Sequence, residues 1–144
     1  MTLLDRAVLA ERVMAVERHL RRVEARLPAS AADLQPASDA SDAVILHLWQ
    51  ATQIAIDLAM AACLALKLGT PSSYADAFRL LQRADVIDAP LADRLVRAAG
   101  FRNVVAHAYT TLDMVRVHGA ATHGPADLRT FLARLADRTP SANT

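Results

Sequence analysis

Between positions 101 and 109 the chain reads Phe101-Arg102-Asn103-Val104-Val105-Ala106-His107-Ala108-Tyr109, which brings a guanidinium, an amide, an imidazole and a phenol close together. On a helix, at about 100° per residue, Asn103 and His107 share a face, and so do Arg102 and Tyr109. The polar groups then occupy one broad arc, with Val104, Val105 and Ala108 largely outside it. Burying such a set unpaired would cost roughly a few kcal/mol in total, so the grouping points to a site rather than to a core.

The chemistry this set suits is cleavage of an RNA phosphodiester by side chains alone. An imidazole such as His107 exchanges a proton near neutral pH, as attack of a ribose 2′-hydroxyl on phosphorus requires. The Arg102 fork can hold two phosphate oxygens and stabilise the extra negative charge of the transition state. Asn103 can orient the imidazole or the phosphate, and Tyr109 can donate a hydrogen bond or stack on a base. One helix supplies one histidine, whereas general acid and general base each need a group. A two-fold homodimer would place two copies of the motif across one cleft.

The elements that must position these residues are helical. Val13, Val16, Leu20, Val23 and Leu27 recur at steps of three and four and predict a first helix over about 3–27. Arg18, Arg21, Arg22 and Arg26 lie off that stripe among Glu17 and Glu24, a solvated, partly ion-paired face or a surface that tracks phosphates. Turn and cap residues fill 28–42, with a short helical turn expected near Ala31 to Leu34. A second helix is expected from Ser41 or Asp42 to Leu68, with Gly69 as its stop. It is apolar on nearly every side after Ala51, as expected of a central helix. Its one internal acid, Asp57, needs a partner if buried, and Arg102 is the candidate. A third helix should begin at Ser72 or Ser73 and end near Ala84. Asp88-Ala89-Pro90 should open a fourth, in which Gly100 suggests a bend or a close backbone approach just before Arg102. Gly119 to Gly124 should break the chain, and Pro125 should start a fifth helix with Leu128, Phe131, Leu132 and Leu135 inward. The expectation is an all-α, antiparallel four- to five-helix bundle, a single domain over 1–139 with a frayed tail at 140–144.

With that context the 101–109 segment resembles the R-x-x-x-x-H-x-Y signature of the HepT-like branch of HEPN domains, with Arg102, His107 and Tyr109 on its fixed positions and Asn103 on its common polar one. Gln53 to Ala59, with its embedded Asp57, and the lead-in from Leu91 to Phe101 are similar to the same family, and the likeness covers roughly 44–111. The resemblance implies a HEPN-like helical bundle that dimerises with its Arg and His at the dimer cleft. It also implies a metal-independent endoribonuclease acting as the toxin of a toxin–antitoxin pair, with RNA as substrate. The partner implied is a small nucleotidyltransferase antitoxin that adenylylates the motif tyrosine, here Tyr109. The apolar motif interior and the Gly/His-rich stretch from His118 to Gly124 depart from the usual family pattern.

Other classes fit less well. A net charge of +1 does not describe a general polyanion binder. Fifteen of the 16 basic residues are arginine, compatible with phosphate recognition, although composition alone decides little. A single cysteine, Cys63, excludes an internal disulfide and fits a reducing, cytoplasmic setting. His118 and His123, without carboxylates at ligand spacing, make a poor zinc site, so neither metal nor cofactor is expected. The apolar run 54–68 contains Asp57 and Lys67 and reads as a buried helix rather than a membrane span. His19 and His47 draw no role, and Trp49, Phe78 and Phe131 read as packing residues. Two alternatives remain. One is a non-catalytic, nucleotidyltransferase-associated module that binds nucleotide phosphate at Arg102. The other is a helical homodimer whose polar cluster sets only pairing specificity.

Overall fold

The computed structural model describes residues 5–139, so Leu3 and Leu4 and the tail 140–144 lie outside the described residues. The described chain contains five α-helices: α1 Arg6–Arg26, α2 Asp39–Ala65, α3 Tyr74–Arg83, α4 Ala89–Ala108 and α5 Met114–Arg138. Single 3-10 turns at Ala31–Asp33 and Tyr109–Thr111 complete the order. The all-α bundle expected from the periodicity is the observed architecture. α2 touches all four other helices and is the central element. By length and composition α2 could cross a membrane, yet half of its most apolar window is buried against its neighbours.

The helix starts follow from side chains that satisfy the first free N–H groups. Asp5 caps α1, Ser73 caps α3, Asp88 caps α4 with Pro90 in the first turn, and Asp113 caps α5. α2 begins a few residues before the expected Ser41 or Asp42. Ser38 is the cap, and it forms a reciprocal capping box with Ser41. The end of α2 also differs from expectation. The helix stops at Ala65, and Lys67, not Gly69, takes the left-handed position (φ 59°). The Leu68 N–H reaches the Cys63 carbonyl at 2.8 Å and the Lys67 N–H reaches Leu64 at 3.1 Å, a Schellman closure. α3 ends the same way around Asp85 (φ 60°), with Val86 bonded to Leu81. A stop sought at glycine is missed when lysine or aspartate accepts the left-handed conformation.

Two expected breaks are absent. Gly119, Gly124 and Pro125 all lie inside α5, which runs unbroken past the proline. Val117, Ala121, Pro125 and Leu128 form one buried face, so packing against the bundle outweighs the local helix-breaking preference. The His118 ring reaches the Pro28 carbonyl at 2.8 Å and ties α5 to the α1–α2 loop. α4 runs unbroken through Gly100, and the expected close approach is absent, since a Cβ there would touch nothing within 4 Å. Thr139, the last residue of the expected domain, is buried and bonds Leu135.

The core has two parts. The larger joins Val16, Leu20, Ile56, Leu81, Leu95 and Phe131, with an edge-on contact of Phe78 and Phe131 at 5.4 Å. The smaller packs Val23, Val44, Leu48, Val105 and Val117 at the end of the bundle that carries the motif. On the surface, Arg129 of α5 grips both Glu17 and Glu24 of α1 at 2.8–3.0 Å, which fixes α5 against α1. The ion-paired face expected on α1 is therefore present, while Arg18, Arg22 and Arg26 lie beside it.

Candidate functional site

Arg102 leaves α4 toward α2 and α3 and is partly buried there. Its guanidinium carbon lies 5.1 Å from the Trp49 ring centroid and 5.7 Å from that of Tyr74. Trp49 thus does more than pack: with Tyr74 it forms an aromatic seat that attracts and orients the cation. Arg102 Nη1 donates to the Asn103 side-chain oxygen at 3.2 Å, so the neighbouring amide steadies the fork.

Three buried polar atoms near this seat have no partner among the described residues: Trp49 Nε1, Gln53 Oε1 and Arg102 Nε. Trp49 and Gln53 lie one turn apart on α2, and Arg102 rests on the Trp49 ring. Each such atom costs roughly 1–3 kcal/mol if left unsatisfied. Buried polar groups are normally satisfied by protein or by ordered water, so their grouping at one place distinguishes this end of α4 from the rest of the core. Beside it lies a groove of about 460 Å3 bounded by the capped start of α3 at Ser73 and by Gly100 and Asn103 of α4.

His107 is exposed, one turn beyond Asn103, and among the described residues nothing hydrogen-bonds its ring. Five positions on a helix amount to about 140°, so Arg102 and His107 diverge within a single copy. Arg102 points between helices and His107 points to solvent. The structure brings Arg102 together with Asn103, Trp49 and Tyr74, and it does not bring Arg102 together with His107.

Asp57 departs from the expected pairing with Arg102. It is exposed, and its carboxylate accepts from Gln53 Nε2 at 2.9 Å. The apolar letters around Asp57 belong to the buried sides of α2, while Asp57 itself falls on the outward stripe with Leu46 and Leu64. No ion pair of Asp57 with Arg102 exists among the described residues.

Tyr109 sits just past α4, half-exposed, and its hydroxyl donates to Asp42 Oδ1 at 2.6 Å. That bond, reinforced by partial burial and the carboxylate's charge, holds the phenol above its usual 10.0. The sequence assigns Asp42 only to a helix start. Its contact with Tyr109 spans 67 residues and no local pattern announces it. The order of cap, central helix and motif gives no register between the first turn of α2 and the end of α4.

Among the described residues no group of three or more His, Cys, Asp or Glu is placed to hold a metal ion. Cys63 is buried, donates weakly to the Ala77 carbonyl at 3.4 Å, and its thiol is pushed up by that burial.

A model of the ribonuclease HepT-like family matches residues 16–135. A protein of Shewanella oneidensis named mRNA nuclease HepT is 26% identical over 125 residues, covering 87% of this chain and 93% of that one. A solved structure of a tri-AMPylated HEPN toxin from Shewanella oneidensis, in complex with its MNT antitoxin, superposes with a TM-score of 0.81 at 25% identity. That likeness covers 90% of this chain and 97% of the toxin. The cytosolic protein YutE of Bacillus subtilis, of unknown function, has the same fold over the full length of both chains, with a TM-score of 0.81 at 17% identity.

Proposed function

Because this chain belongs to the ribonuclease HepT-like family, we propose that it is the toxin of a toxin–antitoxin pair and a metal-independent endoribonuclease. In this reading a single HEPN-like domain over 1–139 acts as a homodimer in the cytoplasm. A nucleotidyltransferase antitoxin neutralises it by adenylylating Tyr109. The observation that carries the reading is Arg102 seated on the Trp49 and Tyr74 rings, with its own Nε, the Trp49 Nε1 donor and the Gln53 Oε1 acceptor all without a partner among the described residues.

The roles proposed are these. Arg102, steadied on the Trp49 and Tyr74 rings, holds the scissile phosphate. Asn103 keeps the fork in place. His107 meets the phosphate of the facing copy, since within its own chain it diverges from Arg102. The exposed Leu46 and Leu64 of α2 supply apolar area for that pairing, and Asp57 lies on the same stripe to meet the second copy. One imidazole takes the proton of the 2′-hydroxyl as that oxygen bonds to phosphorus. The P–O5′ bond breaks, and a second proton transfer releases the 5′-hydroxyl, leaving a 2′,3′-cyclic phosphate.

For the neutralising step, Tyr109 Oη attacks the α-phosphorus of a nucleoside triphosphate on the partner enzyme. The Oη–P bond forms, pyrophosphate departs with the electron pair of the broken P–O bond, and the phenolic proton passes to Asp42. The raised phenol is a poor nucleophile alone, so the carboxylate 2.6 Å away is the group that makes it competent.

The deciding measurement is RNA cleavage by purified protein in excess chelator. Wild type should cut, and His107→Ala and Arg102→Ala should each lose at least about a hundredfold. Equal cutting by His107→Ala defeats the assignment. A second reading draws on the divergence of Arg102 and His107: a copy that never pairs would bind nucleotide phosphate without cutting, as a non-catalytic companion of a nucleotidyltransferase. Expression without growth arrest, combined with adenylylation of Tyr109, would favour it.

A further inference from the structure

A second concavity lies on another side of α4, between it and α5. It measures about 410 Å3, within the roughly 300–1,000 Å3 typical of small-ligand sites. Leu48, Phe101 and Leu128 form an apolar floor, and Arg97, Arg116 and His123 stand around it. At one edge Arg94 is neutralised by Asp127 at 2.8 Å. Arg129 and Arg134 of α5 are likewise taken by carboxylates. Arg97 and Arg116 are exposed, and among the described residues neither has an ion pair. Two uncompensated guanidiniums and an imidazole over an apolar, phenyl-bearing floor complement a base joined to phosphate.

We propose that this α4–α5 groove is a nucleotide subsite for single-stranded RNA, holding one base against Phe101 with the adjoining phosphate on Arg97 and Arg116. The inference rests on RNA being the substrate and adds where the strand runs outside the cleavage face. Phe101 immediately precedes Arg102, so groove and cleavage face are two sides of one helix. By helical position Arg97 lies about 40° from Phe101, on the side away from Arg102. At about 1.5 Å rise per residue, it lies roughly 9 Å along the axis from Asn103, a span of a few nucleotides. A volume of about 410 Å3 suits a single base and not a duplex, so the strand must be unpaired there. His123 can donate to the phosphate or to the base edge.

The test measures binding of a fluorescent single-stranded RNA to the full-length protein carrying His107→Ala, which prevents cutting, at several salt concentrations. Arg97→Glu with Arg116→Glu should weaken binding at least about tenfold, and removing each arginine–phosphate pairing should flatten the salt dependence by about 0.7 in log–log slope. Arg97→Gln with Arg116→Gln should do the same more mildly, and Arg12→Glu, the same charge change on α1, should bind like its parent. A parallel titration with adenosine 5′-monophosphate, followed by NMR, should shift the Phe101 and His123 ring signals saturably. Unchanged RNA affinity and salt slope in the double variant overturn the proposal. So does loss of complex with the nucleotidyltransferase while RNA binding persists, because the groove would then dock protein. If the parent neither binds nor cuts RNA, the substrate reading itself falls. The mononucleotide shifts then decide separately: saturable shifts keep a nucleotide site in the groove, and their absence removes it.

Discussion

Replacing Asp42 by asparagine separates the two consequences of its contact with Tyr109. The hydroxyl-to-carboxylate distance of 2.6 Å is that of a charge-assisted O–H···O⁻ bond, about 2.5–2.7 Å. Asparagine keeps the size and an acceptor oxygen but loses the charge and the basicity. The hydrogen bond is the largest cause of the raised phenol, so in Asp42→Asn the phenol should titrate closer to 10.0. A phenol that ionises more readily is a better nucleophile, so hydrogen bonding alone predicts equal or faster adenylylation. Loss of a general base predicts the reverse, by a factor of about 10²–10⁴. Both groups face solvent and water can partly substitute, so the lower end applies: about a hundredfold, or roughly 2.7 kcal/mol of activation free energy. The assay is single-turnover transfer of AMP from ATP by the cognate nucleotidyltransferase, read as intact mass across a pH series. It is paired with ultraviolet titration of the phenol. Asp39→Asn is the control, since Asp39 shares the first turn of α2 and its dipole but is not the tyrosine's partner. Transfer to Asp42→Asn within about threefold of wild type, with the titration shifted as expected, would remove Asp42 as the base, because general-base losses are larger than that.

Trp49→Phe keeps an aromatic under Arg102 but weakens the cation–π attraction and deletes an N–H that has no partner. Cleavage kinetics should show kcat/KM down about three- to tenfold, in line with the roughly 0.5–2 kcal/mol of such contacts, and an unchanged value would show that the seat is incidental. Gly100→Ala adds a methyl that meets nothing within 4 Å, so thermal melting should report a gain of about 0.5–1 kcal/mol. A loss would mean that another backbone approaches there, and sedimentation would show whether it is the second copy. His19 and His47 touch through their Nδ1 atoms at 3.0 Å, and both are held below the usual 6.5, first by burial, with Arg18, Arg22 and Arg26 adding to it. An imidazole whose folded value is depressed leaves stability intact above about 6.5 and takes it away as pH falls through the folded value. Urea midpoints should therefore drop from neutral to mildly acidic pH, and His47→Gln should flatten that dependence.

What the sequence discloses is what repeats or caps. The stripe Val16, Leu20, Val23 is buried as its spacing implies, and Asp88 with Pro90 opens α4 as those residue types require. What it hides depends on contacts between distant segments. Glycine and proline inside α5 read as a break because local preference is all a window of sequence contains, whereas the face Val117, Ala121, Leu128 is held by the rest of the bundle. Asp57 reads as buried because its neighbours in sequence are apolar, yet it falls on the one stripe of α2 that no helix covers. The motif spacing locates Arg102, Asn103, His107 and Tyr109 on α4 and at its end. It cannot supply Trp49, Tyr74 or Asp42, whose partnership with them exists only once α2 and α3 are laid against α4.

The placement of Tyr109 explains why modifying it would silence a site built on Arg102. The two residues leave the end of α4 on the same side, seven positions or about 10 Å apart along the axis. An adenylyl group on Tyr109 carries a phosphodiester with one negative charge and an aromatic base. Near Tyr109 the nearest polar contact is the Asp42 carboxylate, which repels that charge. Arg102, lying over two aromatic rings, keeps its Nε without a partner among the described residues. The tethered phosphate would thus compete for the guanidinium that the substrate phosphate needs, at an effective concentration no free RNA matches. Under the proposed function, neutralisation would require no change of fold: one covalent anion, delivered to the hydroxyl held by Asp42, would take the place of the substrate.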